Sequence, residues 1–327
     1  MIQRSCLATA LAIAALAALD APIAARYARS GRRMHPSTAC EGARDPLPAA
    51  LFYELRAGAF SGSDHPDVAV HVPPGFDATS RPGLVVYFHG WQGCVAAALS
   101  ADDTPCSDSG VPRPGSDLAS QMDAAGVNAL LVAVELRRDM PTGEPGHLAM
   151  PAGLRELLRE LFSEHLAAPL GCTLEVDGLD RVVLVAHSGG YQAAAGALAL
   201  GDVARVTEVD LLDALYGADE VFSRWIRSQA ERFDQRVNDP LRFVDLYTCC
   251  GGTAERSRAL VHSSRASLAL AGLASSVSDE DAESQVDRAA LAHGIVFKRV
   301  PGPHSDLPRA YFRQLVQEAG FAPLPSH

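Results

Sequence analysis

Lysine is nearly missing from this chain: Lys298 is the only one among 28 basic residues, and all the others are arginine. A serine–lysine hydrolytic pair needs an amine held beside the nucleophile, and a lone lysine inside the apolar run Ile295-Val296-Phe297-Lys298 offers no such place. There is no His-Glu-x-x-His, no Cys-x-x-Cys and no Walker-type glycine loop, so neither a metal site nor a nucleotide site has an anchor. The pair Gly251-Gly252 lacks the spacing of a dinucleotide loop, and no cofactor is expected. The net charge of −11, with no basic patch interleaved with aromatics, argues against a nucleic-acid partner.

The apolar stretch Cys6 to Leu19 is short of the roughly 20 residues that a membrane helix needs. With Arg4 before it and Asp20-Ala21-Pro22-Ile23-Ala24-Ala25 after it, it reads as a signal peptide over residues 1–25, with no stable membrane span once it is removed. Export, periplasmic or extracellular, is expected. Residues 26–50 form a polar, proline-bearing segment, and residues 51–327 have the length of one α/β domain. Beyond the signal lie Cys40, Cys94, Cys106, Cys172, Cys249 and Cys250, an even number suited to an oxidising compartment. Cys94 and Cys106 flank one loop closely enough to pair, with Cys40 or Cys172 as competing partners for Cys106.

What the chain does have is punctuation at strand ends. Arg181-Val182-Val183-Leu184-Val185-Ala186-His187-Ser188-Gly189-Gly190 reads as a buried strand that turns at a serine, and the small-residue run Tyr191 to Leu200 re-enters as a helix. Small residues around the turn let the backbone fold tightly and leave the serine side chain open, which makes Ser188 the candidate nucleophile. Alanine stands at position 186 where the motif usually has glycine, and it is small enough for the turn. Gly83 to Phe88 is a second apolar strand, ending in His89-Gly90-Trp91-Gln92-Gly93. The N–H groups of Trp91 and Gly189 are the natural donors to a tetrahedral oxyanion. Gly294 to Val300 is a third strand, running into Pro301-Gly302-Pro303-His304 ahead of a helix from Leu307 to Ala319. His304 is the candidate general base.

With these three elements in this order the chain resembles the α/β-hydrolase superfamily of serine hydrolases. The resemblance covers roughly residues 50 to 320 as a topology and is specific at Ala-His-Ser-Gly-Gly, His-Gly-Trp and Pro-His-Ser. It implies an α/β fold with a mostly parallel central sheet, helices on both faces, and a nucleophile, acid and histidine in that order. For the acid it leaves two places: Asp213, at the end of the strand that begins at Val206, and Glu255, beyond the later strand Leu241 to Thr248. Asp213 is preferred; Asp245 lies within the later strand and is expected to face the sheet. The implied function is cleavage of a small-molecule or polymeric carboxylic ester through an acyl-enzyme. An amidase or peptidase with the same groups, or a non-catalytic binding protein of the same fold, are the alternatives.

Other residues near the strand ends have blander readings beside functional ones. His187 is expected to pack or hydrogen-bond behind the turn, and His89 to brace its loop. Glu135, Arg137 and Arg138 follow the strand Asn128 to Val134 and could meet a polar group of a substrate. Cys94 to Asp117 and Arg137 to Ala149 are expected as insertions on the catalytic side, and the acidic stretch Ser275 to Ser284 as a mobile loop.

Overall fold

The computed structural model describes residues 47–60, 66–106, 111–141, 143–249, 252–292 and 294–325. The signal peptide expected over residues 1–25, Cys40, Cys250 and most of the polar segment 26–50 lie outside the described residues. In chain order the strands are β1 (Leu51–Tyr53), β2 (Val68–His71), β3 (Gly83–Phe88), β4 (Thr104–Pro105), β5 (Pro112–Arg113), β6 (Ala129–Val134), β7 (Val182–His187), β8 (Val206–Leu212), β9 (Arg242–Tyr247), β10 (Val277–Glu280) and β11 (Ile295–Arg299). Nine of them form one sheet in the order β1-β2-β6-β3-β7-β8-β9-β11-β10, while β4 and β5 pair separately. From β6 to β10 across the sheet every pairing is parallel, and only β1 and β2 run antiparallel.

Strands buried on both faces must be apolar throughout, and the alternation of side chains assigns each residue to one of two cores. In β3, Leu84, Val86 and Phe88 enter one core while Val85 and Tyr87 enter the other. In β7, Val182, Leu184 and Ala186 oppose Val183 and Val185 in the same way. The first core is closed by helices α3 (Gly153–Glu160), α5 (Tyr191–Leu200), α6 (Asp219–Ser228) and α7 (Ala254–Ala269). The helix α3 continues through a π-helical stretch, Leu161–Leu166, into α4 (Ala167–Leu170). The second core is closed by α1 (Val95–Leu99), α2 (Leu118–Ala125) and α8 (Leu307–Glu318). The fold is thus α/β, with a mostly parallel sheet covered on both faces. Among the described residues no helix is long and apolar enough to cross a membrane.

The expectation of a mobile acidic loop over Ser275 to Ser284 is corrected by the structure: Val277–Glu280 is the edge strand β10, parallel to β11. The acidic side chains that suggested solvation are each met by a cation. Lys298, on β11, is 2% exposed and bonds both Glu280 and the Ser284 hydroxyl. Arg265 pairs with Asp279 at 3.3 Å, and Arg258 with Asp281 at 3.1 Å.

One buried ion pair ties the sheet to the helix behind the histidine loop. Arg242 on β9 meets Glu208 on β8 at 2.5 Å. The same guanidinium donates to the carbonyls of Leu315 and Glu318 in the last turn of α8, at 3.0 and 2.6 Å. Burial and the neighbouring Glu208 hold the Asp210 carboxyl well above the usual carboxylate range, and Glu208 is the carboxylate that Arg242 contacts. Removing one partner strands a buried charge, so Arg242→Leu should lower stability to urea by about 3–5 kcal/mol. The double variant Arg242→Leu/Glu208→Leu should lose less than Arg242→Leu alone, and equal losses would show that the pair is not the source.

Candidate active site

Parallel strands deliver their C-terminal ends to one edge of the sheet, and the sequence-identified residues all leave from that edge. Ser188 follows β7, Asp213 follows β8, His89 to Trp91 follow β3, and His304 follows β11. Ser188 has φ of +52°, in the left-handed region where a non-glycine residue is strained. Two glycines make that turn feasible. A Cβ on Gly190 would lie 2.4 Å from the Phe88 carbonyl oxygen, and one on Gly189 would lie 2.4 Å from the Pro141 carbonyl oxygen. The turn is therefore pressed against β3 on one side and against the 137–149 insertion on the other.

The structure brings Ser188, His304 and Asp213 together. His304 Nε2 lies 2.8 Å from Ser188 Oγ, and His304 Nδ1 lies 2.9 Å from Asp213 Oδ2. Asp213 is fully buried, whereas the His304 side chain is 34% exposed. The opening turn of the chain after Pro303, His304–Asp306, leads directly into α8, which carries a proline in its first turn. Glu255, the other acid considered, sits exposed in the first turn of α7, and Asp213 is the carboxylate against His304.

Sequence reasoning missed what holds Asp213. Thr248, just past β9, donates its hydroxyl to Oδ2 at 2.6 Å, and Thr253, at the start of α7, donates to Oδ1. Burial pushes the Asp213 carboxyl up, but the bonds from His304, Thr248 and Thr253 outweigh it and leave it below its ordinary value. The signal available in the sequence was two hydroxyl residues bracketing the loop after β9, but nothing local ties them to a carboxylate 35 and 40 residues earlier. Asp245 is buried on β9, and burial, helped by the Asp213 charge and opposed by Ser257, pushes its carboxyl up to about 7.

The residues around the site are braced to one another. The Leu136 N–H donates to His89 Nε2 at 2.9 Å, so Nδ1 carries the ring proton and donates to the Gly90 carbonyl at 2.8 Å. Glu135 is buried, and its carboxylate accepts the Val95 N–H at 2.9 Å, at the start of α1. That bond anchors the loop after β3 where it enters α1. Arg137 is paired with Asp139 at 2.8 Å and Glu144 at 3.2 Å, and the Arg138 carbonyl accepts the Gln92 N–H at 3.2 Å. Arg113, on β5, bonds the Gln92 side chain. Both expected insertions therefore pack on the edge that carries Ser188. Trp91 beside them is 51% exposed. Tyr216 sets its ring edge-on to His304, with centroids 6.1 Å apart. Burial and the Asp213 charge push its hydroxyl up to about 12.

The Cys94–Cys106 disulfide is present, with Cα atoms 5.4 Å apart, and Cys172 and Cys249 are disulfide-bonded as well.

A serine at a strained strand-to-helix turn, an acid after the next strand and a histidine after the last one complete the topology. The fold is of the α/β-hydrolase kind. No protein-family model matches the sequence, and no curated protein sequence matches it. Among solved structures, the chain is similar to the feruloyl esterase module from Clostridium thermocellum, at 11% identity over 91% of this chain and 97% of that one, with a TM-score of 0.49. It is similar to Thermogutta terrifontis esterase 2 at 11% identity, over 86% and 99% of the two chains, with a TM-score of 0.44. It is also similar to a ferulic acid esterase from Anaeromyces mucronatus at 13% identity, over 86% and 93%, with a TM-score of 0.41.

Two outcomes follow from the bracing. Because the folded-state pKa of Asp213 is depressed, its ionisation stabilises the fold above the ordinary carboxylate range, and that contribution is lost as pH falls through the lower folded value. Thr253→Val removes one cause of the depression, so it should cost about 1–3 kcal/mol near neutral pH and progressively less in acid. A loss independent of pH, measured by denaturant unfolding, would show that the hydroxyl acts only through packing. Replacing Cys94 and Cys106 together by serine should lower stability by about 3 kcal/mol, the loop-closure value for a ring of this size, and a calorimetric change near zero would contradict it.

Proposed function

We propose that the protein is an exported serine hydrolase that cleaves carboxylic esters through an acyl-enzyme, with residues 51–327 as its single catalytic domain. The observation that carries this reading is the chain of hydrogen bonds from Ser188 Oγ through His304 to Asp213, at 2.8 and 2.9 Å. Disulfide-bonded Cys94, Cys106, Cys172 and Cys249 support the exported setting.

The chemistry follows from where the protons can go. His304 Nε2 takes the Ser188 hydroxyl proton as Oγ bonds to the substrate carbonyl carbon, and the carbonyl π pair moves onto oxygen. The backbone N–H groups of Gly189 and Trp91 are the donors assigned to that oxyanion. Collapse breaks the bond to the leaving alkoxide, which receives the proton from the His304 imidazolium. Water then repeats the two steps on the acyl-serine, releasing the acid and restoring the Ser188 hydroxyl. Asp213 keeps the Nδ1–H tautomer and balances the positive charge on His304 while it lasts. None of these steps draws on a metal or a cofactor. The substrate is a small-molecule or polymeric ester that approaches from solvent, where His304 and Trp91 are accessible.

Ser188→Ala should abolish hydrolysis of p-nitrophenyl esters and covalent labelling by a fluorophosphonate while leaving the fold intact. Mass spectrometry of the labelled peptide checks the site, and modification of another serine overturns the assignment. His304→Ala should match Ser188→Ala in kcat, and Asp213→Asn should retain roughly a hundredfold more activity, as expected of residues that act as a unit. Faster cleavage of p-nitroanilides than of the matching esters would make the enzyme an amidase.

A further inference from the structure

We infer that His187 is a positioning residue for His304, holding the histidine loop through its Nε2–H and setting its ring against the catalytic imidazole. The inference rests on the serine-hydrolase reading and adds a member to its machinery. Strand alternation turns His187 away from the direction of Ser188, yet its ring reaches across to the loop that follows β11. His187 Nε2 lies 3.0 Å from the His304 carbonyl oxygen. A carbonyl only accepts, so Nε2 must carry the proton and the ring is fixed as one tautomer.

The half-buried ring is also approached by the loop after β3. A methyl group on Gly90 would lie 3.2 Å from His187 Nδ1 and 2.8 Å from Ser188 Cβ. His187 therefore fills the space where the loop after β3, the turn at Ser188 and the histidine loop converge. Its ring faces that of His304 with centroids 4.8 Å apart and planes inclined by 33°.

The charge state of His187 suits this place. Burial first, then the nearby His304, push the His187 ring down to about 4. The other ionisable groups facing it are Asp213, which acts in the opposite direction, and His89, which adds to the downward push. Of the two imidazoles, His304 is the one whose Nε2 lies 2.8 Å from Ser188 Oγ, in place to receive its proton. A second cation 4.8 Å away would oppose the imidazolium that forms when Ser188 attacks, whereas a neutral ring does not. The bond to the His304 carbonyl fixes the backbone from which that imidazole projects, and a small misplacement of a reacting group carries a large penalty.

The test separates the donor from the ring. His187→Gln places an amide N–H near the Nε2 position, His187→Asn cannot reach the His304 carbonyl, and His187→Phe keeps a ring without a donor. With p-nitrophenyl acetate, His187→Asn and His187→Phe should lower kcat by roughly 10- to 100-fold with KM nearly unchanged, and His187→Gln should recover most of the loss. Fluorophosphonate labelling of Ser188 should slow in the same order. If His187→Phe fails to fold, as judged by thermal unfolding, the Gln and Asn variants decide between them. Equal kcat for His187→Gln and His187→Asn overturns the inference, and so does a loss confined to KM. Absence of labelling at Ser188 in the unaltered protein overturns the serine-hydrolase reading and this inference with it, whereas normal labelling in every His187 variant overturns this inference alone.

Discussion

A carboxylate with no exposure to solvent is an expensive object, and much of this molecule is arranged around the one at Asp213. Its charge is sustained by hydroxyls from Thr248 and Thr253 and by the His304 ring, which bring together the end of β9, the start of α7 and the loop after β11. Asp213 itself sits at φ of +47° with its N–H bonded to the Leu246 carbonyl at 2.6 Å, so the backbone that carries the charge is pinned to the neighbouring strand. The donors leave the carboxylate little freedom to turn. A histidine bonded to a fixed acceptor inherits that fixity, and the direction of its Nε2 toward Ser188 follows.

The second constraint is steric and lies on the other side of Ser188. Gly189 and Gly190 have no room for a side chain because the Pro141 and Phe88 carbonyls close on them. The 137–149 insertion is thereby part of the turn, and the Gln92 bond to the Arg138 carbonyl links it to the loop after β3. That loop is secured in turn by His89, by Glu135 at the start of α1 and by the Cys94–Cys106 bond. The strain at Ser188 is thus held from both sides, by β3 and by the 137–149 insertion.

What the sequence reveals and what it conceals divide along the distance between interacting residues. Val182 to Ala186, Leu84 to Phe88 and Ile295 to Phe297 are legible as strands because continuous apolarity bounded by glycine and proline is a local signal. Ser188, Asp213 and His304 are legible because each stands where such a strand stops. The hydroxyls on Asp213 and the reach of His187 to the His304 carbonyl depend on partners scores of residues away, and no local pattern encodes them. Strand β10 is hidden for the same reason. Its acidic composition reads as solvated until Lys298, Arg265 and Arg258 are placed beside it by the fold.

The single lysine has a consequence for the surface as a whole. Lys298 is enclosed between Glu280 and Ser284, so reagents that acylate amines find no exposed lysine on the described surface. Every other cationic side chain apart from histidine is a guanidinium, which stays charged well beyond the pH of about 10 at which amines lose their protons. Pairs such as Arg155 with Asp177 and Arg236 with Asp234 therefore persist in strongly alkaline solution. Tyrosine ionisation, rather than loss of the surface cations, sets the upper limit of the pH range in which this charge pattern survives.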